Sequence, residues 1–276
     1  MPQFAFGNAA GHTHARFRYN AAMKVITLNS GSNGNCIYVE TDGVQILFDA
    51  GISGNQAQAR LASQGRDIID VQALVISHDH RDHSQCLGVY HRKFGLPVHI
   101  TPGTLTVASK KLKLGSLNDV RYFKPSSVLR FGHVTVETIP TPHDAVDSVA
   151  FVIDDGSKRL GILTDLGHAT ERLISVMGTL DAVVIESNHD LAMLANGSYP
   201  ESLKRRIGGL HGHLSNVDSA ALVQRAGDRL KWACLAHLSE DNNDPDLAVD
   251  THRRVLGGRM PIYVASRHEA TEVLEV

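Results

Sequence analysis

The sequence predicts an α/β fold of four layers, αββα, in which two mixed β-sheets pack face to face and helices cover both outer sides. Two features carry this expectation. Short apolar, β-branched-rich runs alternate with helical stretches from Lys24 to the C-terminus, and no Pro/Ser-rich linker or internal repeat divides them. Hairpin-like pairs open the chain and recur after Ser126, so each half begins as antiparallel strands and continues with helices between strands.

Taken in order, the first strands are expected at Lys24 to Leu28, Cys36 to Glu40 and Val44 to Phe48. Asn33-Gly34 and Asp42-Gly43 stand between them, and such pairs supply the positive φ that a tight turn requires. Apolar runs at Val71 to Ile76 and Val98 to Ile100 follow. The second half repeats the pattern with Val128 to Phe131, Val134 to Ile139, Ser148 to Ile153 and Leu160 to Thr164, with Asp155-Gly156 as the turn between the last two. Ala182 to Ile185, Trp232 to Leu235 and Ile262 to Val264 complete the series. Helices occupy the intervals. Ser215-Asn216-Val217-Asp218 matches a capping box and opens a helix expected to run to about Ala226, with Gly227 as its stop. Asp244 is a good N-cap before Pro245, and Gly257 closes the helix that they start.

At 276 residues the chain can bury a large core, and its 42% apolar and 20% charged fractions are those of a soluble globular protein. No apolar run approaches the roughly 20 residues needed to cross a bilayer, so no membrane partner is expected. Residues 1–22 are polar, with no central apolar block, and fail the requirements of a signal peptide. They read as a flexible extension, His12 and His14 included, ahead of a domain spanning residues 23–276. Cys36, Cys86 and Cys234 are odd in number, far apart and never paired as C-x-x-C, which argues against a disulfide framework and points to a reducing cytoplasm. The formal net charge of −2 gives no overall attraction to nucleic acid. Lys110-Lys111-Leu112-Lys113 and Lys204-Arg205-Arg206 keep such a partner open, although a short basic run also reads as a solvated helix face.

The chemistry concentrates at Ser77-His78-Asp79-His80-Arg81-Asp82-His83, directly after the apolar run at Val71 to Ile76. The chain has 16 histidines, so clusters can arise by composition, but neither strand nor turn chemistry asks for this combination. Imidazole and carboxylate are ligands that zinc, iron and manganese accept. In extended backbone His78 and His80 share one face while Asp79 points away, and the following turn can bring Asp82 and His83 to a second site beside the first. Other strand ends deliver Asp49, His143, Asp165 and His237. Singly, Asp49 and Asp165 read equally well as turn aspartates. As an ordered series at strand ends, all of these side chains can converge on one cleft.

His78-x-His80-x-Asp82-His83, with Asp49 upstream and His143, Asp165 and His237 downstream, resembles the metal-ligand set of the metallo-β-lactamase superfamily. Ser30-Gly31-Ser32-Asn33-Gly34-Asn35-Cys36, Glu186-Ser187-Asn188-His189-Asp190, Leu203 to Ile207, Gly212 to Asn216 and Leu235 to Ser239 further resemble its WalJ/YycJ (VicX)-like branch of DNA exonucleases. The resemblance implies the metallo-β-lactamase fold from Lys24 to about Val264. It also implies two divalent metal ions, zinc or manganese, with His78, His80 and His143 on one, Asp82, His83 and His237 on the other, and Asp165 between them. Water held between two such ions loses its proton near neutral pH, and that hydroxide is the expected nucleophile. Asp49 is expected to orient a ligand histidine rather than ligate. No cysteine stands at the ligand positions, and an all-His/Asp set suits phosphoester cleavage.

His213 precedes the helix capped at Ser215, whose free N–H groups near Ser215 and Asn216 form an expected phosphate site, and it could protonate a leaving oxygen. Lys204, Arg205 and Arg206 could meet a nucleic-acid backbone. His189 is read either as a pocket-lining residue or as a surface loop residue. Three functions compete: a two-metal phosphodiesterase acting on DNA, from the 5′ end as the resemblance implies and with DNA as partner, or on RNA; a thioester or lactone hydrolase of the same fold; and a metal-stabilised binding protein without turnover. The intact ligand series argues against the last.

Overall fold

The computed structural model of the protein describes residues 22–276, and the expected extension, with His12 and His14, lies outside the described residues except for Ala22. The first half comprises β1 (Lys24–Asn29), β2 (Cys36–Thr41), β3 (Val44–Phe48), α1 (Gly54–Ser63), β4 (Ala73–Val75), α2 (Arg81–Ser84), α3 (Leu87–Phe94), β5 (Val98–Ile100), α4 (Pro102–Lys111) and β6 (Val120–Tyr122). Then follow β7 (Val128–Phe131), β8 (Val134–Pro140), β9 (Val149–Asp154), β10 (Arg159–Leu163), α5 (Glu171–Met177), β11 (Ala182–Glu186), α6 (Leu191–Asn196) and α7 (Glu201–Ile207). The chain finishes with α8 (Asn216–Gln224), β12 (Trp232–Ala236), α9 (Pro245–Leu256), β13 (Ile262–Val264) and β14 (Leu274–Glu275).

The described strands form two mixed seven-stranded sheets, in the orders β14-β1-β2-β3-β4-β5-β6 and β13-β12-β11-β10-β9-β8-β7. Alternation along each strand divides its apolar residues between two cores. Ile46 and Phe48 enter the layer between the sheets, where Phe48 meets Phe151 with ring centroids 4.9 Å apart. Leu47, between them in sequence, joins Leu61 of α1 and Tyr90 of α3 on the outer face. In the second sheet Leu160, Ile162 and Val184 face inward, while Leu163, Val183 and Ile185 pack with Leu173 and Met177 of α5 and Leu222 and Val223 of α8. Three apolar layers separated by two sheets are what the αββα architecture requires. Truncating either ring of the Phe48–Phe151 pair to alanine costs about 3–5 kcal/mol.

Local signals act where expected at α9, which starts after Asp244, whose side chain accepts from Asp246 and Leu247 N–H, and ends at Gly257 with φ 66°. The helix α8 is shorter than anticipated, stopping at Gln224. The strand expected from Val71 to Ile76 is reduced to Ala73–Val75, since Ile68–Asp70 form a 3-10 turn and the chain beyond Val75 leaves the sheet to turn toward the ligand cluster. Strands β6 and β14 escaped the sequence pattern because they are three and two residues long and sit at sheet edges.

Strands β3 and β4 run parallel, as do β10, β11 and β12, and β8 is antiparallel to β9, which is antiparallel to β10. The C-terminal ends of β8, β10, β11 and β12 therefore share one edge, and those of β3 and β4 meet them across the sandwich.

Candidate metal centre

Three residues of the centre occupy left-handed backbone just past strand ends: Asp49 after β3 (φ 62°), Asp165 after β10 (φ 59°) and His237 after β12 (φ 56°). A non-glycine residue held there costs about 1–3 kcal/mol, a cost met by surrounding packing and typical of functional sites. The turn folds each side chain back over the sheet ends. Gly51 is required beside them, because a Cβ at this position would lie 1.8 Å from the Asp82 carbonyl oxygen.

On one side, His78, His80 and His143 stand with ring centroids 4.7–5.1 Å apart. His143 Nδ1 donates to the Gly212 carbonyl at 3.0 Å, so its Nε2 faces inward, 3.2 Å from His80 Nδ1. His78 Nδ1 donates to Ser77 Oγ at 2.9 Å, and Ser77 donates in turn to Asp49 Oδ2 at 2.9 Å. That leaves His78 Nε2 buried without a hydrogen-bond partner.

On the other side, Asp82 Oδ2 lies 3.4 Å from His83 Nε2 and 3.3 Å from His237 Nε2. His83 Nδ1 donates to Asp49 Oδ2 at 2.7 Å, and His237 Nδ1 donates to Glu186 Oε1 at 3.0 Å. Asp165 spans the halves, with Oδ2 3.1 Å from His83 Nε2 and Oδ1 3.6 Å from His143 Nε2. Its Oδ2 is buried and accepts no well-aligned hydrogen bond. Asp49 thus backs both halves, His83 directly and His78 through Ser77.

Four imidazoles present Nε2 and one presents Nδ1 to a common interior. For His78, His83, His143 and His237 the opposite nitrogen is committed to an acceptor, which fixes the tautomer of the neutral ring so that the inward nitrogen is the one that offers a lone pair to a cation. Buried polar atoms facing one another without donors are a frame for cations. Among the described residues, His78, His80 and His143 form one ligand group and Asp82, His83 and His237 another, with Asp165 within reach of both. The all-N/O set fits zinc or manganese.

Burial drives His78 well below the ordinary imidazole range, and His83 beside it adds to the shift. Burial acts the same way on His237, but Asp165, Asp82 and Glu186 outweigh it and push this group up to about 10. Burial opposes ionisation of Asp165, yet His237 and His83 hold its carboxyl well below the usual range. Protons and cations therefore compete for the same atoms.

Glu186, at the end of β11, had no assigned role in the sequence reading. It is fully buried: Oε1 accepts from Nδ1 of His213 at 2.7 Å and of His237, while Oε2 accepts from Leu166 N at 2.8 Å and Leu214 N at 3.1 Å. Burial raises this carboxyl, but His213 and His237 together hold it at about 2. His213 is consequently fixed with its ring centroid 5.1 Å from those of both His143 and His237. A carboxylate ending an apolar run was the available signal for Glu186, the same signal that marked Asp49 and Asp165. Ser77 gave none.

The remaining expected residues divide. Arg206 reaches the mouth of the centre, where it pairs with Asp144 (Nε to Oδ2, 2.6 Å), whose other oxygen is 3.6 Å from His80 Nε2. Arg205 is exposed and Lys204 donates to the Ala195 carbonyl; both line a hollow with Leu191 and Leu194 away from the ligands. His189 is 1% exposed, which excludes the surface-loop reading, and its Nδ1 has no partner. Ser215 and Asn216 do not form the expected phosphate site. Ser215 Oγ caps α8 through Asp218 N, and the Asn216 side chain is buried against Ser187 and Asn243 while its N–H donates to the His189 carbonyl.

Comparison with known proteins agrees with this geometry. The Beta-lactamase superfamily domain matches residues 45–237. The chain is 37% identical over 222 residues to exodeoxyribonuclease YycJ of Bacillus anthracis, covering 80% of this chain and 84% of that protein. It is 34% identical over 264 residues to exodeoxyribonuclease WalJ of Streptococcus pneumoniae, covering 92% and 98%. Among solved structures, the metallo-β-lactamase fold protein YhfI of Bacillus subtilis superposes with a TM-score of 0.70 at 17% identity, over 91% of this chain and 99% of that one, a likeness of fold.

Proposed function

The chain belongs to the metallo-β-lactamase superfamily and is a hydrolase, and from that premise we propose that residues 23–276 form one hydrolase domain that degrades DNA from the 5′ end with two divalent cations. His78, His80 and His143 would hold one cation and Asp82, His83 and His237 the other, with Asp165 shared. Bound there, the pair supplies Lewis acidity toward a phosphoryl oxygen and lowers the pKa of water enough to provide a nucleophile near neutral pH.

The protein's own residues do the rest. Asp49 and Glu186 hold the imidazoles in the tautomers that ligation requires. His213, with Nδ1 committed to Glu186, has Nε2 as its remaining nitrogen, the atom that would give a proton to the departing oxygen. Arg206 supplies a cation at the mouth for a substrate phosphate, and His189, buried beside His213 and Glu186, would line the same pocket. Asp82 and His80, 22% and 23% exposed at their side chains, are the ligands open to substrate, one in each half. The observation that carries the phosphodiester reading is His213: one protonatable group, backed by a buried carboxylate, stands equally near ligands of both halves. The exodeoxyribonuclease relatives support DNA as the substrate.

Among the described residues no helix is long and apolar enough to cross a membrane. All three cysteines are free thiols, and burial pushes Cys36 and Cys234 up to about 12, which makes them unreactive core residues; a reducing cytoplasm is the compartment proposed. The net charge of −2 favours the alternative, a thioester or lactone hydrolase. One experiment separates the two. DNA bearing a 5′-phosphate and an end label is incubated with the protein and manganese or zinc; release of nucleotides from the 5′ end, abolished by Asp82→Ala, is expected. Intact DNA under every metal condition, with turnover of a thioester or lactone panel, overturns the DNA reading.

A further inference from the structure

The loop between β1 and β2 touches each residue of the second ligand group. Ser30 Oγ accepts from His237 N at 2.7 Å, and Asn35 N donates to the Asp82 carbonyl at 2.7 Å. The Asn35 side-chain Nδ2 lies 3.2 Å from Asp82 Oδ2 and 2.9 Å from His83 Nε2. Its orientation is fixed, because Oδ1 accepts from Gly31 N at 3.0 Å. Inverting the amide would set oxygen against the Asp82 carboxylate.

Asp82 differs from its neighbours in how it is held. The Nδ1 protons of His83 and His237 belong to Asp49 and Glu186, so their Nε2 atoms approach Asp82 Oδ2 as lone pairs whenever they serve as ligands. Neither can then donate to the carboxylate. Asp82 sits on the four-residue helix α2 with its side chain the most exposed of this group, so nothing in its own element restrains it. Among the described residues, Asn35 is the side chain that can donate to Asp82 Oδ2 while the Nε2 atoms of His83 and His237 serve as ligands, once its contact with His83 Nε2 is given up.

We propose that Asn35 is a positioning residue for the second cation: its amide holds the Asp82 carboxylate with Oδ2 presented alongside Nε2 of His83 and His237. With a cation on His83 Nε2 the amide contact there would be given up, and the two amide hydrogens would remain directed at Asp82 Oδ2 and the Gly31 carbonyl, each 3.2 Å away. The inference rests on the two-cation reading of the centre. The first ligand group does not involve Asn35, so its affinity is independent of this amide.

Titration of the full chain with manganese tests it, with bound metal measured by elemental analysis and by electron paramagnetic resonance. Wild type takes two ions. Asn35→Ala, and Asn35→Ser, whose hydroxyl is too short to reach Asp82, retain the first ion unchanged and bind the second about 10–100-fold more weakly. Thermal unfolding in chelator is measured alongside. Equal affinities at both sites in both variants overturn the proposal. So does weakening of both sites together with a lowered Tm in chelator, which marks a general role in folding the loop. A wild type that takes one ion overturns the two-cation reading itself.

Discussion

Replacing Glu186 by glutamine removes no volume and yet is expected to be severe. The carboxylate accepts four hydrogen bonds, two per oxygen: from Nδ1 of His213 and His237 on Oε1, and from Leu166 N and Leu214 N on Oε2. Glutamine offers one oxygen and turns an NH2 group toward the other pair of donors. Whichever way the amide turns, two buried donors lose their acceptor at about 1–3 kcal/mol each, a destabilisation of roughly 2–6 kcal/mol. For a chain of this size each kcal/mol lowers Tm by about 2–4 °C, so a drop of roughly 5–20 °C follows. With the amide nitrogen toward the histidines, His237 Nδ1 also loses the acceptor that selects the neutral tautomer with its lone pair on Nε2, and the second cation is bound about 10–100-fold more weakly. Circular dichroism melts in chelator read the first effect and metal titration the second. A Glu186→Gln protein within about 1 kcal/mol of wild type and with unchanged metal affinity refutes the four-donor account.

Asp49→Asn, by contrast, disturbs both halves, since Asp49 Oδ2 accepts from His83 Nδ1 and from Ser77 Oγ, which backs His78; both affinities fall in the same titration by about 10–100-fold. Lys111→Ala is expected to cost less than about 1 kcal/mol in urea unfolding, because the lysine is 59% exposed although its partner Asp79 is buried. Asp79→Ala costs more and weakens the first cation, as Asp79 Oδ1 also accepts from Val146 N and so ties down the loop that carries His143. His99 is lowered from the ordinary 6.5 to about 4 by burial and then by Arg121. Below about 6.5 the unfolded chain takes up a proton that folded His99 refuses until about 4, so this contribution to stability is lost as pH falls through that window. His99→Gln flattens the urea midpoint across it.

Much of the architecture is legible in the chain because strand alternation and turn chemistry are local. Asp42-Gly43 and Asp155-Gly156 mark real hairpins, and twelve of the strands fall on apolar runs visible in the sequence. The cluster from His78 to His83, with the ligand-type residues that end other runs, identifies a metal centre for the same reason: strand ends carry side chains to one edge. What a linear reading could not assign is the layer behind the ligands. Glu186, Ser77 and Asn35 act through partners 51, 28 and 48 residues away or adjacent ones turned by the fold, and no pattern in sequence encodes which strand end faces which. Ser215 and Asn216 show the converse. Their capping signal is genuine, but tertiary packing turns both side chains inward, so a correct local reading gave the wrong surface. The sequence alone determined the chemistry by supplying lone pairs at strand ends; only the packing of the two sheets decided which nitrogen each histidine presents, because tautomer and orientation are set by acceptors distant in the chain.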